Sequence, residues 1–159
     1  MTTVTRRYRF SASHRLHSPD LTPAQNARLY GKCNNPFGHG HDYVLEVTVA
    51  GEVDRLSGLI LPVSQLDRLV NEQVLQLFAH RNINLDIPSF ENLVPTTENI
   101  ALVITNSLRD RWNAYFPQSS TRLHRVHIQE TDRNGFEVLV AAPKNATRNS
   151  VTEGLTIHA

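Results

Sequence analysis

Hydrophobic and polar residues alternate over residues 4–14, with Tyr8, Phe10 and Ala12 on one face and Arg7, Arg9 and Ser11 on the other. A period of two is that of a strand with one buried face. The alternation returns over 42–52, where Tyr43, Leu45, Val47 and Val49 oppose Val44, Glu46 and Thr48, and predicts a second strand. Residues 17–38 between them show neither period. Within this excursion Thr22-Pro23 reads as an N-cap followed by proline at the first helical position, and Gly31 as a stop. A short helix over 23–30 is expected, inside a connection long enough to suggest function.

After the Ser57-Gly58 turn, Leu59-Ile60-Leu61-Pro62-Val63 reads as a short extended run. The period then changes. Leu66, Leu69, Val70, Val74 and Leu77 recur at helical spacing behind Ser64 as cap, with Asp67 in a capping-box-like position. This helix should end near Phe78. A second starts at Thr96-Thr97-Glu98-Asn99 and carries the stripe Ile100, Val103, Ile104, Leu108 and Trp112, with Pro117 just beyond its end. Strands over 122–130 and 136–142 flank a hairpin turn at Asp132-Arg133-Asn134-Gly135. The order β-β-α-α-β-β predicts an α+β domain over residues 1–142: a four-stranded antiparallel sheet with two helices on one face. Such a sheet leaves a face and two edges open, so self-association is expected. Residues 143–159 are polar and aperiodic and read as a tail, mobile or draped on a neighbour.

Composition narrows the class. The 159 residues are 40% hydrophobic, enough for one core. Lys+Arg 16 against Asp+Glu 15 leaves a formal charge of +1, which does not suggest a nucleic-acid partner. The Arg6-Arg7-Tyr8-Arg9 cluster reads as a solvated strand face. A single cysteine cannot form an internal disulfide, which fits a reducing compartment. The start MTTVTRRYRF has no apolar signal region and no run is long enough to span a membrane, so a cytoplasmic protein is expected.

Three histidines stand out once strand parity is applied. His14 continues the Tyr8-Phe10-Ala12 face, and His39 and His41 continue the Tyr43-Leu45-Val47 face. Antiparallel pairing brings the end of the first strand beside the start of the second. A lone histidine on an apolar face is ordinarily a satisfied core residue. Three converging imidazoles with an open position form instead a catalytic zinc site. His17 is close enough in sequence to replace one of them. His124 and His127 read as structural or surface residues and His158 as tail. Gly38 and Gly40 would let the backbone approach a ligand. Cys33 lies six residues before His39 in a polar, Asn/Gly-rich loop; beside zinc and a histidine its pKa would fall and it could act as base or nucleophile. His80, at the end of the first long helix, would complement the helix dipole or serve as an acid or base. Glu130 continues the apolar Val126-Ile128 face, where a carboxylate needs donors, as a ligand with adjacent N–H groups would supply.

The segments FSASHRL (10–16), GKCNNPFGHGHDY (31–43), HRNINLDIP (80–88), TTEN (96–99) and ETD (130–132) together resemble the 6-pyruvoyltetrahydropterin synthase family, in order, from about residue 6 to 142. The resemblance implies the tunnelling fold, with trimers closing a barrel and two trimers stacking into a hexamer. It implies zinc on His14, His39 and His41, Cys33 as catalytic base and His80 in proton relay. It implies that Glu130 anchors the pterin ring, with Thr96, Thr97 and Glu98 nearby. The implied substrate is 7,8-dihydroneopterin triphosphate, which loses inorganic triphosphate to give the 6-pyruvoyl product of the tetrahydrobiopterin pathway.

Relatives that make 6-carboxytetrahydropterin for deazaguanine synthesis are similar, with a shorter spacing between the cysteine and His-Gly-His. The five residues between Cys33 and His39 resemble the biopterin type, and Cys33 itself argues against relatives that place a glutamate there and cleave the side chain. One departure stands out: the residue before the relay histidine is normally aspartate in this family, and here it is Ala79. The resemblance therefore also admits a slowed enzyme or a pterin-binding relative without turnover. The reading furthest from it is a small α+β interaction module with incidental histidines.

Overall fold

The computed structural model describes residues 1–117 and 119–142. The predicted 143–159 tail lies outside the described residues. Strand β1 (Thr2–His14) pairs antiparallel with β2 (His39–Gly51) along its full length, from Thr2 opposite Gly51 to His14 opposite His39. Strand β3 (Arg122–Gln129) pairs with β2, and β4 (Gly135–Leu139) with β3, in the order β1-β2-β3-β4. The sheet is the predicted four-stranded antiparallel one. Its fourth strand ends earlier than expected, and a five-residue connection replaces the tight hairpin turn.

Between β1 and β2, helix α1 (Pro23–Tyr30) begins with a full capping box in which the Thr22 hydroxyl and Gln25 amide each satisfy the other's backbone N–H. Gly31 stops it with φ 52, and a 3₁₀ turn over Gly31–Asn34 carries Cys33. Helix α2 starts over Val63–Val70, continues through a π-helical stretch at Asn71–Leu75 and closes over Gln76–Phe78. Helix α3 (Thr97–Tyr115) follows, capped by Thr96.

Several expectations give way. Residues 59–63 form no strand; Leu59 is exposed, Leu61 is buried in the core and Ile60 packs against its margin. Pro62, not Ser64, holds the N-cap position of α2. Asp67 is unavailable for a capping box because its carboxylate accepts from Arg6 Nε (3.1 Å), Arg6 Nη2 (2.8 Å) and the Tyr8 hydroxyl (2.8 Å), tying α2 to β1. The π stretch adds a residue to the turn, so the apolar stripe runs Leu66, Leu69, Val70, Val74 and then Phe78, while Leu77 turns outward and is half exposed. In β3, a bulge opposite Thr48/Val49 shifts the parity, letting Leu123 share the core face with Val126 and Ile128.

The core lies between one sheet face and helices α2 and α3, where Phe10, Tyr43, Leu45, Val47, Val126 and Ile128 meet Leu66, Leu69, Ile100, Ile104 and Leu108. The opposite face is polar. There Glu46 joins Arg125 (3.0 Å) and Arg7 (3.9 Å), and Arg125 joins Glu137 (2.9 Å), across all four strands. Among the described residues no helix is long and apolar enough to cross a membrane.

Candidate metal and catalytic site

Strand register builds the centre of the site. Ala12 faces His41 and Ser13 faces Gly40, so the last pair, His14 and His39, stands directly across from each other. The ring nitrogens of His14, His39 and His41 converge so that their ligating atoms lie within 4.8 Å of one another, with His14 Nε2 and His39 Nε2 at 3.1 Å. The close approach is made by Gly38, whose φ is 71 and at which a Cβ would meet the His14 carbonyl oxygen at 2.9 Å. The crowding expected at this glycine is therefore between the two strand ends rather than toward a ligand, and Gly40 has ordinary space.

The three rings are suited to bind a cation. His14 is fully buried, and its Nδ1–H donates to the Pro95 carbonyl at 2.8 Å, which leaves the Nε2 lone pair facing the cluster. Burial holds His14 and His39 below the ordinary imidazole range, so both are neutral and able to ligate. His41 Nε2 is buried without a hydrogen-bond partner, a position that a metal bond would satisfy. His17 does not join them: its Nδ1 meets the Asn34 amide at 3.0 Å.

Glu130, at the end of β3, enters the same space. Its Oε1 lies 3.6 Å from both His14 Nε2 and His41 Nε2 and accepts from the Thr97 hydroxyl at 2.8 Å. Of the three residues at the start of α3 expected near Glu130, Thr97 alone makes this bond. The Thr96 hydroxyl caps the helix by accepting from Asn99 N–H at 3.3 Å. Glu98 is exposed and lines an apolar groove with Leu102, Phe136 and Val138.

Cys33 is half-buried, in the 3₁₀ turn that follows α1. Burial, then the Glu130 charge, raises its thiol above the ordinary range in the protein alone. His80 comes in along the edge of β1. Helix α2 ends at Phe78, Ala79 is extended with ψ 127, and His80 takes a left-handed φ of 60. It is thus two residues beyond the helix rather than a cap on its dipole. Its backbone N–H donates to Ser11 O at 2.7 Å, and Ser13 N–H donates to Arg81 O at 2.9 Å, so the 80–82 segment lies along the outer edge of β1. His80 lines a cleft of about 610 Å³ with Ser11, Ala12, His41, Asp42 and Asp86, so this cleft runs beside one of the three clustered histidines. That cleft does not reach Cys33.

The reading from parity missed two contributors. The Pro95 carbonyl is a backbone group, invisible to any pattern of side chains. The Tyr43 hydroxyl, buried without a hydrogen-bond partner and with its pKa pushed up by burial, sat on the predicted face but was counted only as core.

A profile of the 6-pyruvoyl tetrahydropterin synthase family matches residues 3–140. The 6-pyruvoyl tetrahydrobiopterin synthase of Homo sapiens is 42% identical over 131 residues, spanning 82% of this chain and 86% of that protein. That of Drosophila melanogaster is 37% identical over 150 residues, spanning 94% and 86%. Among solved structures, the 6-pyruvoyl tetrahydropterin synthase of Caenorhabditis elegans matches with a TM-score of 0.79 at 38% identity, covering 88% of this chain and 96% of that one.

Proposed function

Because this chain belongs to the 6-pyruvoyl tetrahydropterin synthase family, we propose that it is a zinc-dependent carbon–oxygen lyase that converts 7,8-dihydroneopterin triphosphate to the 6-pyruvoyl tetrahydropterin with release of inorganic triphosphate. The observation that carries this reading is the cluster of three histidines, His14, His39 and His41, with ligating atoms inside 4.8 Å of one another beside Glu130. Three neutral imidazoles are a donor set that suits zinc. When bound, zinc supplies Lewis acidity that makes the C–H bonds beside the substrate's side-chain oxygens easier to deprotonate.

The chain's own residues carry the remainder. The Pro95 carbonyl holds His14 in the ligating tautomer. Glu130 pairs both carboxylate oxygens with adjacent N–H groups on the pterin edge, and Thr97 steadies it. Cys33 receives the proton. Its raised pKa is partly due to the Glu130 charge, so pairing that carboxylate with the pterin favours the thiolate. His80 relays the proton onward. Cys33 and His80 do not share a cleft in one chain, which supports a site shared between copies. A homo-oligomer follows from this, with two stacked trimers as the proposed assembly. The lone cysteine supports a cytoplasmic setting.

Support for the pyruvoyl product over the 6-carboxy product comes from the names of relatives at about 40% identity. Ala79 favours a second reading, in which the pterin binds and turnover is slow or absent. The deciding experiment gives zinc-loaded protein 7,8-dihydroneopterin triphosphate and identifies products by mass. Triphosphate with the 6-pyruvoyl compound supports the first reading. Loss of acetaldehyde with the 6-carboxy compound assigns the deazaguanine branch instead. Binding without product supports the second reading.

A further inference from the structure

Tyr43 stands beside the histidine cluster with a hydroxyl that the fold leaves unused. The residue is fully buried, and among the described residues its hydroxyl is the one buried hydroxyl with no hydrogen-bond partner. Other buried polar groups of the core are served. The Thr105 hydroxyl donates to the Ala101 carbonyl at 2.7 Å, and the Trp112 indole N–H to the Thr121 carbonyl at 3.2 Å. An unmade hydrogen bond in a core is costly, so such a group calls for a reason. Strand register points to one. Tyr43 faces Phe10 on β1, and on the other side Glu130 follows Gln129, which pairs with Val44 at the end of the β2–β3 ladder. The Phe10 ring stacks on Tyr43 with centroids 5.1 Å apart, and the rings of His41 and His14 stand at 5.6 and 6.3 Å. Burial, then the charges of Glu130 and Cys33, raise the pKa of the hydroxyl, so both groups lie near enough to act on it. The hydroxyl is thus a donor held by packing among the residues assigned to metal, ring and proton.

We propose that the Tyr43 hydroxyl is a further catalytic group, a preset donor that hydrogen-bonds an oxygen of the substrate's side chain as negative charge gathers there. The proposal rests on the synthase reading. In that reaction the hydroxyl-bearing carbon next to the ring becomes a ketone as the ring is reduced. Loss of the neighbouring C–H proton to Cys33 then leaves its electron pair in an enolate. The charge rests on the ketone oxygen until the carbonyl re-forms and the pair shifts one bond outward, expelling triphosphate. A donor for an oxygen that is charged only at that stage speeds the step without tightening the bound substrate. Such a donor has no acceptor in the protein alone, as is the case for Tyr43.

In the full chain, Y43F removes the oxygen and keeps the ring. A buried hydroxyl without a partner gives nothing to the fold, so the urea midpoint of Y43F is expected to equal or exceed that of wild type. Y8F is the contrast: the Tyr8 hydroxyl donates to Asp67 at 2.8 Å, and its loss should lower the midpoint. Zinc uptake by Y43F should match that of wild type. With 7,8-dihydroneopterin triphosphate, kcat should fall about a hundredfold while KM changes little. A lowered midpoint in Y43F would show that the hydroxyl serves the fold and would overturn the proposal. So would a wild-type kcat, or a loss confined to KM. Each of these leaves the synthase reading standing. Zinc-loaded wild type that forms no product would instead remove that reading, and this proposal with it.

Discussion

Ala79 is half-buried against the core and precedes a histidine held in the left-handed region. A non-glycine residue there carries a strain of about 1–2 kcal/mol, and the hydrogen bond from His80 N–H to Ser11 O helps hold it in place. The imidazole is therefore set by backbone strain and strand contact, with no carboxylate beside it in sequence. Asp86 lines the same cleft, but its Oδ2 accepts from Asn82 N–H at 2.8 Å and closes its own helical turn. An aspartate at position 79 would stabilise the protonated imidazole. Ala79→Asp is expected to raise kcat about tenfold or more with little change in KM; steady-state kinetics showing an unchanged kcat would remove His80 from the relay. Gly38→Ala should disturb the site without touching a ligand. Its φ of 71 and the 2.9 Å approach to the His14 carbonyl force the strand ends apart, so zinc affinity in a chelator competition should fall while the far end of the β1–β2 ladder keeps its amide protection.

Helix α2 shows how an element can depart from its own periodicity. The π stretch at Asn71–Leu75 moves the core position from Leu77 to Phe78. Phe78→Ala is expected to cost about 3–5 kcal/mol through the cavity it leaves, whereas Leu77→Ala at a half-exposed site should cost about 0.5–1 kcal/mol. Urea unfolding of the two variants measures the difference, and equal losses would mean that the helix keeps a regular period. The same helix is tied to β1 through Asp67, whose carboxyl is held below its usual range first by the Arg6 hydrogen bond and also by Tyr8. The unfolded chain then binds a proton at Asp67 more readily than the folded one. Stability from this contact is complete above the ordinary carboxylate range and is lost as pH falls below it through the folded value. Asp67→Asn should lower the urea midpoint at about pH 7 and flatten its fall toward about pH 3; an unchanged acid slope would show the tie to be ineffective.

At the scale of the whole molecule, the sheet of the described residues keeps open backbone at its edges. The 80–82 segment covers only the end of β1, and β4 forms the opposite edge. His80 shares its cleft with Ser11, His41 and Asp42, and Cys33 does not line that cleft. If both serve one reaction, each site must draw them from different copies. Cys33→Ala and His80→Ala proteins should each be inactive as pure assemblies. Subunits mixed after dissociation should recover part of the activity, because some sites then receive both intact residues. Mixed assemblies that stay inactive would mean that the two residues do not cooperate across copies.

Much of this was legible in the chain. Strand alternation gave β1, β2 and β3, and extending its parity by a few residues brought His14, His39 and His41 together, because side-chain direction in a strand is locally determined. The cap at Thr22 and the helix start around Thr96 were legible for the same reason: the groups that meet are neighbours in sequence. What the sequence could not decide lies where distant groups compete for the same partner. Arg6 and Tyr8 claim Asp67 from its expected capping role, a π turn exchanges Leu77 for Phe78, and the Pro95 carbonyl chooses the tautomer of His14. The turn of Glu130 toward the histidines, and the separation of Cys33 from His80, likewise depend on how strands and helices far apart in the chain come to rest against one another. Local pattern determines which way a side chain leaves the backbone; only the packed structure decides what it meets there.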